Sequence, residues 1–221
     1  MVVPALEQGS CRVCGGATHA GFALCFCCAT LVRQLRMPLV PLVAVVDYRV
    51  GDGMHRRLRG YKDAPVAEAR RDRAAELAGL VAPWMTVHRA ALRSRFGSRW
   101  DLVATVPSSS RPGGAPFDAV VSRVPDLARS HRRLLVRGPE ATDHLRADRR
   151  GFAVAPGIDR GWLGDRRILV VDDTVITGAR AQSAVAALRS AGGRVVGIVA
   201  VGRVVAGVAP RGAGALRRSV G

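Results

Sequence analysis

The stretch ILVVDDTVITGAR, residues 168–180, constrains the fold more than any other part of the chain. Its four leading apolar residues do not alternate with polar ones. The strand they form must therefore be covered on both faces, as in parallel sheets flanked by helices. Two carboxylates, Asp172 and Asp173, follow at the strand's tip. Thr174 to Arg180 then turn the chain into AQSAVAALRSAGG, in which Ala181, Ala184, Val185 and Leu188 share one helical face and Gly192 and Gly193 end the helix. A helix N-terminus lined with free N–H groups is a phosphate site, and Gly178 allows a phosphate to approach the backbone. Carboxylates that accept from vicinal hydroxyls, set beside a phosphate turn, ask for a sugar phosphate. Ribose 5-phosphate fits.

Other segments repeat the apolar pattern. DLVATV (101–106), RLLVR (133–137), RILVV (167–171) and VVGIVAV (195–201) read as short parallel strands, and PLVPLVAVVDY as another ahead of them. Between them, DAPVAEARRDRAAELAGLVAPWMTVHRAALRSRF reads as helix, with Pro65 near its start and Pro83 dividing it. The expected fold is α/β, a doubly wound parallel sheet, whose ligands sit at the carboxyl ends of the strands. Three parts are expected: a cysteine segment over 1–36, the α/β domain over 37–209 and a basic tail over 210–221.

All five cysteines lie near the N-terminus, in CRVCGGATHAGFALCFCC. Cys11/Cys14 and Cys25/Cys28 are two Cys-x-x-Cys pairs, and four thiolates on two tight turns complete a tetrahedral zinc site. With all four positions filled by protein, such an ion is structural. Cys27 is left out because Cys25 to Cys27 is too tight for the usual turn, and a lone loop histidine, His19, is more often solvated. A disulfide or buried free thiols are the alternatives, and a cytoplasmic chain disfavours the disulfide.

The chain has 221 residues and a formal charge of +17, which makes a polyanionic partner worth considering. It also has a single lysine, Lys62, and no asparagine, so much of the arginine can reflect codon bias on solvated faces. No apolar run reaches bilayer-spanning length, and no basic and apolar leader is present, so no membrane insertion is expected and the cytoplasm is the expected location.

With these pieces in place, residues 168–180 resemble the 5-phosphoribosyl 1-pyrophosphate (PRPP) motif of type I phosphoribosyltransferases. With the cysteine segment ahead of it, nearly the whole chain is similar to the ComF family, competence-associated proteins of bacteria. DYRVGDGMHRRLRGYKDAP resembles that family's Tyr…Lys segment before the first helix. LVATVPSSSR resembles its pyrophosphate loop, and HLRADRRGFAV its Arg-rich segment ending in phenylalanine. The resemblance implies a type I phosphoribosyltransferase-like sheet in which Asp172 and Asp173 hold the ribose hydroxyls and act as the catalytic carboxylates, with Mg²⁺ accompanying PRPP. It implies that Thr174, Val175, Thr177, Gly178, Ala179 and Arg180 cradle the 5-phosphate, and that Ser108, Ser109, Ser110 and Arg111 receive the pyrophosphate. A flexible surface turn is the competing account of those serines.

Two departures stand out. Ile176 occupies the position where purine-salvage relatives carry a carboxylate base, and PGGAPFDAVV replaces the family's usual Arg-Gly-Phe-Asn-like patch. Three functions stay open: phosphoribosyl transfer to a nitrogen nucleophile with release of pyrophosphate, a competence accessory role binding single-stranded DNA and competence proteins, and a PRPP sensor without turnover.

Overall fold

In this computed structural model, residues 9–108 and 116–205 are described. Ser109, Ser110, Arg111 and the tail from 206 onward lie outside them. The chain begins with α1 (Phe26–Leu35), β1 (Leu42–Tyr48), α2 (Gly53–Asp63), α3 (Ala67–Phe96) and β2 (Leu102–Thr105). Next come α4 (Asp118–Val121), α5 (Pro125–Ala128), β3 (Leu135–Arg137), β4 (Phe152–Val154) and α6 (Arg160–Gly164). It closes with β5 (Arg167–Val175), α7 (Ala179–Ser190) and β6 (Arg194–Val204).

Four strands form one parallel sheet in the order β1-β6-β5-β2. Its unbroken apolar runs are explained by burial on two sides, because successive strand residues point to opposite faces. Leu169, Val171 and Val199 meet Leu58 of α2 and Leu77, Val81, Met85 and Phe96 of α3. Ile168, Val170 and Ile198 meet Ala181, Ala184, Val185 and Leu188 of α7 on the other side. The doubly covered parallel sheet agrees with the sequence reading.

Two expectations fail. The run 133–137 is not a strand of the parallel sheet: β3 pairs antiparallel with β4 in a separate two-stranded ribbon. Leu134 and Leu135 are buried, but Val136 and Arg137 are exposed, too little apolar length for two covered faces. The chain just before it, Ser130 to Arg132, reaches β2 through an isolated parallel bridge between His131 and Val103, with Val103 N–H donating to the Ser130 carbonyl and Arg132 N–H to the Val103 carbonyl, each at 2.9 Å. Nor does Pro83 divide the helix, since α3 runs through it for 30 residues. Proline removes one N–H and crowds the carbonyl four residues back, here that of Gly79. Leu77, Ala78, Val81, Trp84 and Met85 are all buried in one cluster, and their packing holds both halves in line.

The cysteine segment is docked rather than appended. Leu42 N–H donates to the Val13 carbonyl at 2.8 Å, Arg95 of α3 donates to the Arg12 carbonyl, and Leu31 and Leu35 of α1 pack with Ala179 and Ala186 of α7. Among the described residues, no helix is long and apolar enough to cross a membrane.

α3 crosses β6 closely at Gly197, where an added Cβ would fall 2.4 Å from the Phe96 ring. Gly197→Ala should therefore lower stability by about 1–3 kcal/mol through overpacking. Urea denaturation checks this as a lower midpoint at unchanged slope.

Candidate functional site

β5 runs further than its apolar run implies, carrying Asp172 and Asp173 inside the strand rather than beyond its end. Consecutive strand residues face opposite ways, and the surroundings of the two acids differ accordingly. Asp173 accepts from the Tyr61 hydroxyl and pairs with the Lys62 ammonium, both from the end of α2. Asp172 receives the Asp173 N–H at 3.0 Å and feels the positive charge of Arg180. Burial, reinforced by the neighbouring Asp173 charge, pushes the Asp172 carboxyl up to about 7, against the opposing pull of Arg180 and Lys62.

Both acids line one cavity of about 220 Å³ at the carboxyl end of β5. That is below the roughly 300–1,000 Å³ typical of clefts for drug-sized ligands. Thr174, Val175, Gly178, Ala179, Arg180 and Ser108 also line it, so the structure brings together most of the residues singled out from the sequence. Thr177 turns elsewhere, donating its hydroxyl to the His144 carbonyl while accepting the Ala179 N–H at 3.2 Å. Ile176 is exposed at the cavity and offers no titratable group.

The turn is built to present backbone. Gly178 has φ +87°, a left-handed conformation that other residues resist. Its missing Cβ faces Leu42 and Leu31, at 3.4 and 3.8 Å. Both are ordinary contacts, so it is the left-handed backbone more than crowding that calls for glycine here. Among the described residues, the N–H groups of Ile176, Thr177 and Gly178 meet no acceptor. Together with the first turn of α7 they form a donor-rich end suited to an anion.

Several site residues escaped the sequence reading. Tyr61 and Lys62 lie in a segment noted only for its resemblance, yet they are the direct partners of Asp173. The arginines of LRADRRGF do not line the cavity; His144, just before them, does. That segment is tied down by Gln34 of α1, which accepts the Ala147 N–H at 2.9 Å, and by Ser183 of α7, which accepts the Asp148 N–H at 3.0 Å. Phe152 carries the guanidinium of Arg180 over its ring at 5.4 Å, and Arg180 also donates to the Pro107 carbonyl. Within PGGAPFDAVV, Asp118 is buried and accepts from Thr105 Oγ1 at 2.8 Å and Arg133 Nε at 2.6 Å, with His131 Nε2 at 3.3 Å. Burial acts to raise its pKa, but these bonds hold it below the usual carboxylate range.

The second centre is the cysteine cluster. The sulfurs of Cys11, Cys14, Cys25 and Cys28 all lie within 4.8 Å of one another. A tetrahedral ion with bonds of about 2.3 Å wants sulfurs about 3.8 Å apart, and Cys14 Sγ to Cys25 Sγ is 3.7 Å. The Gly16 N–H points at Cys14 Sγ at 3.4 Å. Hydrogen bonding with Cys28, helped by Gly16, lowers the Cys14 thiol to about 5, while the same bond and burial push Cys28 upward. Four cysteines are therefore positioned to bind a metal ion, and Cys27 is not among them.

No protein-family model matches the chain, and no curated protein matches it. Among solved structures it is similar to the allosteric regulatory enzyme of purine biosynthesis, with 19% identity and a TM-score of 0.31. The match covers 50% of this chain and 23% of that one, and a superposition so loose carries no argument about activity.

Asp172 supplies a test of the site's electrostatics. A carboxyl whose folded pKa is raised binds its proton more tightly folded than unfolded. Its contribution to stability is therefore lost as pH rises from about 4, the unfolded value, to about 7. Asp172→Asn should remove that part of the pH slope and gain on the parent at pH 8 but not at pH 4. Denaturation midpoints across this window check it, and an unchanged slope in the variant contradicts the assignment.

Proposed function

We propose that the chain binds PRPP and transfers its phosphoribosyl group to a nitrogen nucleophile, releasing pyrophosphate. The observation that carries this reading is the convergence on one small cavity of two buried strand carboxylates and a left-handed, donor-rich turn opening α7. Thr174, Val175, Gly178, Ala179 and Arg180 would hold the 5-phosphate through backbone donors and one guanidinium, with Thr177 shaping the turn. Asp172 and Asp173 would accept from the ribose hydroxyls. Ser108 lines the same cavity and would meet the pyrophosphate together with Ser109, Ser110 and Arg111.

In this reading, displacement at the anomeric carbon builds positive charge on the ribose ring as pyrophosphate departs. The protein's contribution is positioning and electrostatics rather than covalent chemistry. Asp172 and Asp173 place negative charge beside the developing cation, and Lys62 offers a positive charge at the same cavity for a departing anion. Asp172 and Asp173 would be the residues to hold an accompanying Mg²⁺, which would supply charge neutralisation. Because Ile176 cannot take a proton, an acceptor that attacks as an already neutral amine fits this cavity better than one needing deprotonation. The same residue favours a second reading, PRPP sensing without turnover.

Asp172→Asn combined with Asp173→Asn should weaken PRPP at least about a hundredfold, because charged hydrogen bonds of this kind are worth about 1.5–3 kcal/mol each. Ile176→Thr should leave affinity nearly unchanged. Calorimetric titration at pH 8, with and without Mg²⁺, on variants shown to be folded checks both. Unchanged affinity in the double variant overturns the ribose-phosphate assignment. A pyrophosphate-release screen over candidate amines separates transfer from sensing.

For the cysteine centre we propose structural zinc, since four cysteine sulfurs within 4.8 Å of one another suit that ion. Elemental analysis should find one zinc per chain, and Cys14→Ser should lose it. Because α1 starts at this centre and supports Gly178, removing the metal should also weaken PRPP binding. Retention of full affinity in the metal-free protein would separate the two centres.

A further inference from the structure

At the opposite pole of the sheet, around the amino-terminal ends of β2 and β5, α3 and α5 border a recess of about 360 Å³. Four arginines line it. Arg89 and Arg93 come from the second half of α3, Arg99 from the turn after it, and Arg129 from the end of α5. The two carboxylates of the recess are already engaged. Asp126 pairs with Arg89, and Asp101 is held by Arg167, whose Nε and Nη2 lie 2.9 and 2.8 Å from its two oxygens.

Arg93, Arg99 and Arg129 have no carboxylate partner among the described residues. Guanidinium groups stay charged at any working pH, and three of them around one concavity repel one another until an anion enters. Their planar forks match phosphate oxygens in pairs. One phosphate group does not balance three cations spread around a recess of this size. A linear chain of phosphates does.

We propose that this recess is a second anion site, which binds an oligophosphate of two or three phosphate groups, either free or as the tail of a nucleotide. It is separate from the carboxylate cavity. Arg167, which closes over Asp101 here, opens β5, and Asp172 follows five residues later in the same strand. At the rise of a strand that is about 17 Å. The proposal stands whether or not the carboxylate cavity takes PRPP.

Inorganic tripolyphosphate and ATP, each titrated into the full chain at low salt, test it. Each should show one arginine-dependent site per chain, with affinities within about threefold of one another, weakening as salt is added. Arg93→Ala combined with Arg129→Ala should weaken both at least about tenfold, because charge-assisted bonds are lost. The Asp172→Asn and Asp173→Asn double variant should bind both as the parent does. Both arginines are exposed, and Arg93→Gln with Arg129→Gln, which keeps the side chains polar, provides a second pair should the alanine variant unfold. Binding of neither anion, or of ATP alone, overturns the proposal. So does binding that is undiminished in folded arginine variants, or that disappears in the aspartate variant. Retention of a single-stranded oligonucleotide without any tripolyphosphate binding overturns it as well.

Discussion

The burial of β5 on both faces is the constraint on which the rest of this molecule depends. Ile168 to Val171 are enclosed between the α2 and α3 layer on one side and α7 on the other. The strand then carries two carboxylates forward into the same dehydrated layer. Ionised carboxylates there are costly unless compensated. Asp173 is compensated by Tyr61 and Lys62, which ties the end of α2 to the strand. Asp172 is left with weaker support, and burial raises its pKa towards neutrality. Raised and compensated acids side by side in one cavity are a recurrent mark of functional sites, where placement of charge outranks stability.

A second dependence links the cysteine cluster to that cavity. Cys25 and Cys28 stand at the start of α1, and Leu31 one turn later packs under Gly178 at the turn opening α7. Gln34, further along the same helix, holds the segment whose His144 lines the cavity. A metal held by four thiolates would therefore fix more than its own loop, because the helix it anchors is the floor of the turn that opens α7. The hydrogen bonds from Leu42 and Arg95 to the carbonyls of the cysteine segment add to the same docking. Packing, and not chain continuity alone, makes one unit of these parts.

Charge is distributed along the sheet's axis in a way that the total of +17 conceals. At the carboxyl ends of the strands, acids and donors share a small cavity. At the amino ends, arginines outnumber the acids that could neutralise them. Parallel strands make this segregation available, since all their beginnings lie at one pole and all their ends at the other.

The local chemistry of the chain was legible in its residues. Unbroken apolar runs required a sheet covered on both faces, the spacing of Cys11, Cys14, Cys25 and Cys28 required convergent sulfurs, and Asp172 to Arg180 required a strand, an acid pair and a turn before a helix. Each follows from short-range periodicity, where one residue dictates the direction of the next. What depends on partners distant in sequence was decided only by the tertiary structure. Pro83 stays within α3 because the core holds both halves of that helix. Residues 133–137 leave the parallel sheet because no second layer covers Val136 and Arg137. Tyr61 and Lys62 become partners of an acid 112 and 111 positions away only when α2 folds over β5. Arginines scattered from Arg89 to Arg129 face one recess only once α3 and α5 pack together. Periodicity specifies which side of an element is buried, whereas the identity of the group met across that face is fixed by long-range packing alone.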